Sequence, residues 1–122
     1  MRFVLLVKSD WDAEAECTPT AAMLDAMNGY NQDLVRAGVL LAAEGFHPAS
    51  RGARIRFADG KVRIVDDPSA EAAEQVAGFW LIQVKSRDEA IAWARRCPLA
   101  PEGSGVEVEI ELRQVFELDP RS

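Results

Sequence analysis

Two runs in this chain are apolar at almost every consecutive position. Arg2 to Lys8 reads RFVLLVK and Gly78 to Val84 reads GFWLIQV. Neighbouring residues of a strand point to opposite faces, so a strand apolar at every position must be buried on both. Neither run approaches the roughly 20 residues of a membrane span. A chain built on two such strands must set both in the middle of a sheet and cover that sheet from two sides.

The remaining elements follow from local signals. Thr18-Pro19 suits the start of a helix, where threonine caps free N–H groups and proline loses nothing. Met23, Met27, Tyr30 and Leu34 then recur at helical spacing, with Leu24 and Val35 widening the stripe, and Gly38 stands where a left-handed C-cap is expected. Val39 to Ala43 reads as a short strand, and Glu44-Gly45-Phe46-His47-Pro48 as a turn-rich segment. Ala53 to Ala58, Asp59-Gly60 and Lys61 to Asp66 spell a hairpin, because Asp-Gly supplies the positive φ of a two-residue turn. Its alternation sets Ile55, Phe57, Val62 and Ile64 on one face and Arg54, Arg56, Lys61 and Arg63 on the other. Ser69 to Gln75 reads as one or two helical turns.

Ser86 and Glu89 form an S-x-x-E capping box, and Ala90, Ile91, Ala94 and Cys97 give the helix that follows its apolar face, stopped by Pro98. Val106 to Leu112 alternates strictly, valine, valine, isoleucine and leucine against three glutamates, as a half-buried strand does. A bulge is expected near Gln114 and Val115, where the alternation blurs.

The order is β-α-β-hairpin-β-α-β. Without the hairpin it is the ferredoxin-like βαββαβ plan, an α+β fold in which the first and third core strands are central and the last lies at an edge. Helices over 19–37 and 87–97 cover one face of such a sheet. The other face needs a second cover, and the economical one is another copy of the chain, sheet against sheet. The rival cover is the hairpin over 53–66, folded back in a monomer.

At 122 residues the chain suits a single domain, 1–122. A net charge of −6 lacks the basic footprint of a protein that grips a phosphate backbone, so no direct contact with nucleic acid is expected. Phe3 to Val7 is too short for a signal-peptide core and no small-residue cleavage site follows, which points to the cytoplasm. Cys17 and Cys97 form no CxxC, and with a single histidine they are too few for a zinc site, so both are expected as free thiols. No phosphate loop, nucleophile elbow or HExxH is present, and no cofactor or metal is expected.

Taken in order, RFVLLVKSD, AGVLLAAEGFHP, FADGKVRIVDDPSAEAAEQVAGFWLIQV, DEAIAWARRCP and GSGVEVEIELRQV resemble the YCII-related proteins of the DGPF type over nearly the whole chain. Where that family typically reads D-G-P-F-A-E, this chain has Asp66, Pro68 and Glu71 in place, with Asp67 and Ser69 replacing glycine and phenylalanine. The resemblance implies a dimeric α+β barrel. It implies no settled reaction; members also occur beside, or fused to, sigma factors of the extracytoplasmic-function class.

Candidate chemistry is sparse. His47 is the single imidazole and sits three residues after Glu44; with Glu44 or Asp66 as an orienting carboxylate it is the candidate general acid or base. The alternative is a surface or interface histidine braced by Pro48. Asp66, Asp67, Glu71 and Glu74 form an acidic cluster that could pair with Arg54, Arg56 or Arg63, cap the short helical segment, or hold a hard cation. Two functional readings follow. One is a protein that binds or transforms a small molecule, at a helix–sheet cleft or a dimer interface, through Glu44, His47 and Asp66. The other, from the company relatives keep, is a non-catalytic regulatory or assembly module tied to a sigma factor.

Overall fold

The computed structural model describes residues 1–9, 21–47, 52–65, 75–99 and 108–117. Its elements are β1 (Arg2–Ser9), α1 (Ala21–Arg36), β2 (Leu40–Gly45), β3 (Arg54–Ala58), β4 (Lys61–Val65), β5 (Gln75–Gln83), α2 (Arg87–Arg95) and β6 (Val108–Gln114). The architecture is α+β, with a four-stranded sheet in the order β2-β5-β1-β6 and a separate two-stranded sheet of β3 and β4. Every pairing is antiparallel. The central strands, β1 and β5, are the two whose sequences are apolar on both faces. Among the described residues neither sheet closes into a barrel.

Register separates the two faces of the larger sheet. Leu5 lies opposite Trp80 on one side and Leu112 on the other, and Phe3 lies opposite Ile82. With Val7 and Val84 these residues form the buried face, packed against Tyr30 and Leu34 of α1 and Ala90 of α2. Leu5, Leu34 and Ile82 are fully enclosed, each stabilising the fold by about 1.5–3 kcal/mol relative to exposure. The opposite face carries Val4 and Leu6 of β1, paired with Leu81 and Phe79 of β5, all four only half-buried.

Helix ends are set by their caps. Val39 N–H donates to the Leu34 carbonyl at 3.1 Å and Gly38 N–H to Val35 at 3.0 Å. Gly38 has φ +73°, and Leu34 and Val39 are both in the core; this is the Schellman arrangement, with its apolar contact between the residues either side of the turn. At α2, Ser86 Oγ accepts from Glu89 N–H at 3.1 Å, while the Glu89 carboxylate accepts from Lys85 N–H at 2.9 Å. The reciprocal bond therefore reaches one residue further back than in the usual box. In the hairpin, Asp59 and Gly60 take φ of 52° and 72°, as a type I′ turn requires.

Several expectations are corrected. β2 runs on to Gly45, so Glu44 and Gly45 belong to a strand rather than a turn. β5 begins at Gln75 rather than Gly78: its pairing with β1 shifts between Val7 and Lys8, leaving Ala77 without a β1 partner and letting Val76 pair with Lys8. No bulge interrupts β6, whose register with β1 is unbroken to Gln114; the second irregularity lies instead in β2, between Leu40 and Ala42. Leu24 and Val35 do not widen the buried stripe of α1 but are exposed, because a helix lying on a sheet buries only the arc that meets it. The expected Thr18-Pro19 cap and Cys17 lie outside the described residues, as do the helical turns expected over Ser69 to Gln75, except Gln75 itself, which is the first residue of β5. No helix among those described is long and apolar enough to cross a membrane.

Candidate functional site at the open edge of the sheet

β2 is an edge strand, and its C-terminal end carries two of the three candidate residues. Glu44 lies opposite Phe79, on the sheet face that the helices leave uncovered, and Gly45 lies opposite Gly78. The ladder continues one step beyond the strand, Phe46 N–H donating to the Ala77 carbonyl at 2.8 Å. His47 follows directly. Gly78 is needed for this approach: a Cβ there would stand 2.7 Å from the Glu44 carbonyl oxygen and 3.2 Å from Gly45 Cα. β2 is thus held tightly enough against β5 for the Phe46 ring to reach that of Phe79, with centroids 5.8 Å apart and planes inclined at 39°.

Glu44 and His47 are both exposed. Among the described residues no hydrogen bond or ion pair joins them. Asp66, the third candidate, lies outside the described residues, as do Asp67, Glu71 and Glu74. No group of three or more His, Cys, Asp or Glu side chains converges as a metal site among those described. Sequence reasoning missed Phe46 and Phe79. Their signal was present in the spacing: in an extended chain residues two apart share a face, so Glu44 and Phe46 belong together once the strand is seen to run through them.

The far edge of the same face is ionic. Lys8 Nζ lies 3.1 Å from Glu111 Oε1, and Arg113 Nη1 lies 3.3 Å from Glu111 Oε2. Lys8 first, then Arg113, hold the Glu111 carboxyl below the usual carboxylate range. Arg2 donates through Nε and Nη2 to the two oxygens of Glu117, at 3.2 and 3.1 Å. This fork lowers the Glu117 pKa and raises that of Arg2. The open face is therefore an apolar centre of Val4, Leu6, Phe79 and Leu81 with an ion-paired rim along β6.

The helical layer offers a different feature. A wide-open groove of about 390 Å³ lies where α1 meets the end of α2, lined by Tyr30, Asp33, Arg36, Arg96 and Pro98 among others. Arg96 is fixed there by Asp33 at 2.9 Å and lies 4.5 Å above the Trp93 ring. Beneath it Tyr30 Oη donates to the Trp93 carbonyl at 2.7 Å, and Trp80 Nε1 donates to Asn31 Oδ1 at 2.7 Å. Burial pushes the Tyr30 phenol and the Cys97 thiol upward. Both stay protonated at neutral pH, which suits packing and not nucleophilic chemistry.

An α+β domain whose two helices cover one face of an antiparallel sheet, leaving an apolar face with the Glu44 carboxylate at its edge, is the class that these observations define. The chain belongs to the YCII-related domain family, whose model matches residues 1–114. An uncharacterized protein of Rhizobium meliloti (strain 1021) is similar to it, 32% identical over 89 residues that make up 73% of this chain and 68% of that protein.

Proposed function

We propose that this chain is a cytoplasmic, homodimeric YCII-related domain of the DGPF type that binds or transforms a small molecule at the edge of its open sheet face. The strand order β2-β5-β1-β6 supports the ferredoxin-like βαββαβ plan. The half-buried Val4, Leu6, Phe79 and Leu81 support sheet-to-sheet pairing of two copies, since obligate dimers bury apolar surface of this kind.

One observation carries the ligand reading. Register puts the Glu44 carboxylate of edge strand β2 and Phe79 of β5 on the same face of the sheet, with Phe46 against Phe79 and His47 next in the chain. Apolar and aromatic side chains beside a small number of placed polar groups are the usual lining of a small-molecule site. Glu44 and His47 are the acid–base candidates, and Asp66 joins them on the sequence alone.

The test is a thermal-shift screen of metabolites and metal ions, because a ligand specific for the folded state raises the melting temperature. A hit abolished by Glu44→Gln or His47→Ala supports this reading. If the ligand is turned over by acid–base chemistry, His47→Ala should cost about 10²–10⁴-fold in rate with the fold intact. A hit indifferent to both substitutions would move the site elsewhere. A screen without any hit would turn the balance toward the regulatory module.

A further inference from the structure

The groove between α1 and the end of α2 holds about 390 Å³, a volume in the range of small-molecule sites. It belongs to the helical layer, so a second copy packed on the open sheet face leaves it uncovered. Two helix ends build it. Arg36 is the last residue of α1 and Arg96 is the C-cap of α2. Both meet one carboxylate: Asp33 lies 2.9 Å from Arg96 Nη2 and 3.7 Å from Arg36 Nη1. Asp33 is the sole acid among the described lining residues. Two guanidiniums against one carboxylate leave the groove positive in a chain of net −6.

The two arginines are held differently. Arg96 is braced from two directions, by Asp33 and by the Trp93 ring 4.5 Å away. Its backbone N–H donates to the Trp93 carbonyl at 3.1 Å. A planar fork fixed in advance loses little freedom when its remaining N–H groups take an acceptor. The Arg36 pair with Asp33 is too long for a hydrogen bond, and its side chain is 75% exposed. Its donors can therefore turn to a ligand without breaking one.

Between them the helix is bare. Gly29 lines the groove from the interior of α1, where glycine weakens a helix relative to alanine. A Cβ at Gly29 would meet no described atom within 4 Å, so no packing against described residues requires glycine there. An exposed backbone lets another molecule approach closely. The helix dipole accounts for cations at two C-terminal ends. It asks for neither a bare turn beside them nor a ring bracing one of them.

We infer that this groove is a second binding site, for a small organic oxyanion, a carboxylate or a phosphate monoester. Arg96 and Arg36 take its oxygens and its body lies over Gly29, beside Tyr30. Guanidinium forks match the oxygens of both groups. The site is independent of the sheet edge, so binding here survives Glu44→Gln and His47→Ala.

The test titrates the full chain with benzoate and, separately, with phenyl phosphate, followed by nuclear magnetic resonance of the backbone amides and arginine Nε–H groups. The signals of Gly29, Gln32, Arg36 and Arg96 should shift saturably. Saturation by benzoate alone assigns a carboxylate, by phenyl phosphate alone a phosphate ester, and by both the shared oxyanion. Arg96→Gln should weaken binding by about tenfold or more, as loss of a charge-assisted hydrogen bond does. Because that change also unties α1 from α2, Gly29→Leu is the second variant. It keeps every charge, fills the open space, and should abolish binding with a melting temperature at or above that of the parent. A Gly29→Leu chain that binds as the parent does overturns the proposal, and so does one that melts lower, since the glycine then serves packing. Shifts that fail to saturate, or that chloride reproduces at equal ionic strength, overturn it too, leaving the arginines as partners of the helix dipoles alone.

Discussion

The Glu44 carbonyl oxygen and Gly78 are in backbone contact across the β2–β5 pair: a Cβ on Gly78 would lie 2.7 Å from that oxygen. This approach decides where the end of β2 sits, and with it Glu44, Phe46 and His47. Gly78→Ala should force the strands apart at this point and cost about 1–3 kcal/mol, as overpacking usually does. A fall in melting temperature of several degrees, with weakened binding of any ligand found by the screen, is the expected outcome of differential scanning calorimetry and titration. An unchanged melting temperature would show that β2 can shift freely.

The two faces of β1 should respond unequally. Leu5 is fully enclosed beneath the helices and Leu6, its neighbour, is only half-buried. Leu5→Ala should cost about 2–5 kcal/mol, and Leu6→Ala distinctly less in urea unfolding at dilute, monomer-favouring concentrations. Leu6→Asp should lower the scattering mass to that of one chain at micromolar concentration. Equal losses from the two alanine variants would contradict the two-faced sheet.

Tyr30 joins α1 to α2 through its hydroxyl, which donates to the Trp93 carbonyl at 2.7 Å. Tyr30→Phe keeps the ring contacts with Trp80 and Trp93 and removes that bond together with the hydroxyl's hydrogen bond with the Cys97 thiol. The carbonyl retains the Arg96 N–H as a donor, so no buried acceptor is orphaned. The expected cost is about 1 kcal/mol, read as a lower urea midpoint with an unchanged slope.

The ionic rim should make stability depend on acid in one direction. Glu111 and Glu117 have folded pKa values below the ordinary 4.5, set by Lys8 and Arg2 respectively as the largest causes. The folded state therefore binds protons less readily than the unfolded chain. The stability from these pairs is present above the ordinary carboxylate pKa and is lost as pH falls through the lowered values. The effect is small because the pairs are largely solvated. Melting temperature followed from pH 6 to pH 3 should fall less steeply in Glu111→Gln/Glu117→Gln than in the parent, and the difference should shrink in high salt. Parallel curves would remove these pairs from the stability of the domain.

Cys97 should behave as a packing residue. Burial raises its pKa, so in a Cys17→Ser background its reaction with a thiol reagent at neutral pH should be slow and should accelerate on unfolding in urea. Reductant should leave the melting temperature of the parent unchanged. Rapid labelling of the folded protein would contradict the buried thiol.

Local chemistry made much of this fold legible in the sequence. The double apolar runs put β1 and β5 at the sheet centre, because only a central strand buries both its faces. Gly38 and Asp59-Gly60 announced their turns, because positive φ is cheap for few residues. Ser86 and Glu89 announced the start of α2, because the capping pattern is confined to four consecutive residues. Tertiary structure alone decided what depends on a neighbour distant in the chain. β2 reaches Gly45 because Gly78, more than thirty residues away, leaves room for its backbone. Ala77 goes without a β1 partner because β1 and β5 must stay in pair on both sides of a shifted register. Leu24 and Val35 are exposed although their spacing suits burial, because the sheet meets only part of the helix surface. The site follows the same division. His47 and Glu44 stood out as the single imidazole and a nearby carboxylate, but the face that Glu44 shares with Phe46 and Phe79 exists only through the pairing of β2 with β5. Spacing records which residues share a side of their own element; which side is covered, and by what, depends on contacts that close over tens of residues.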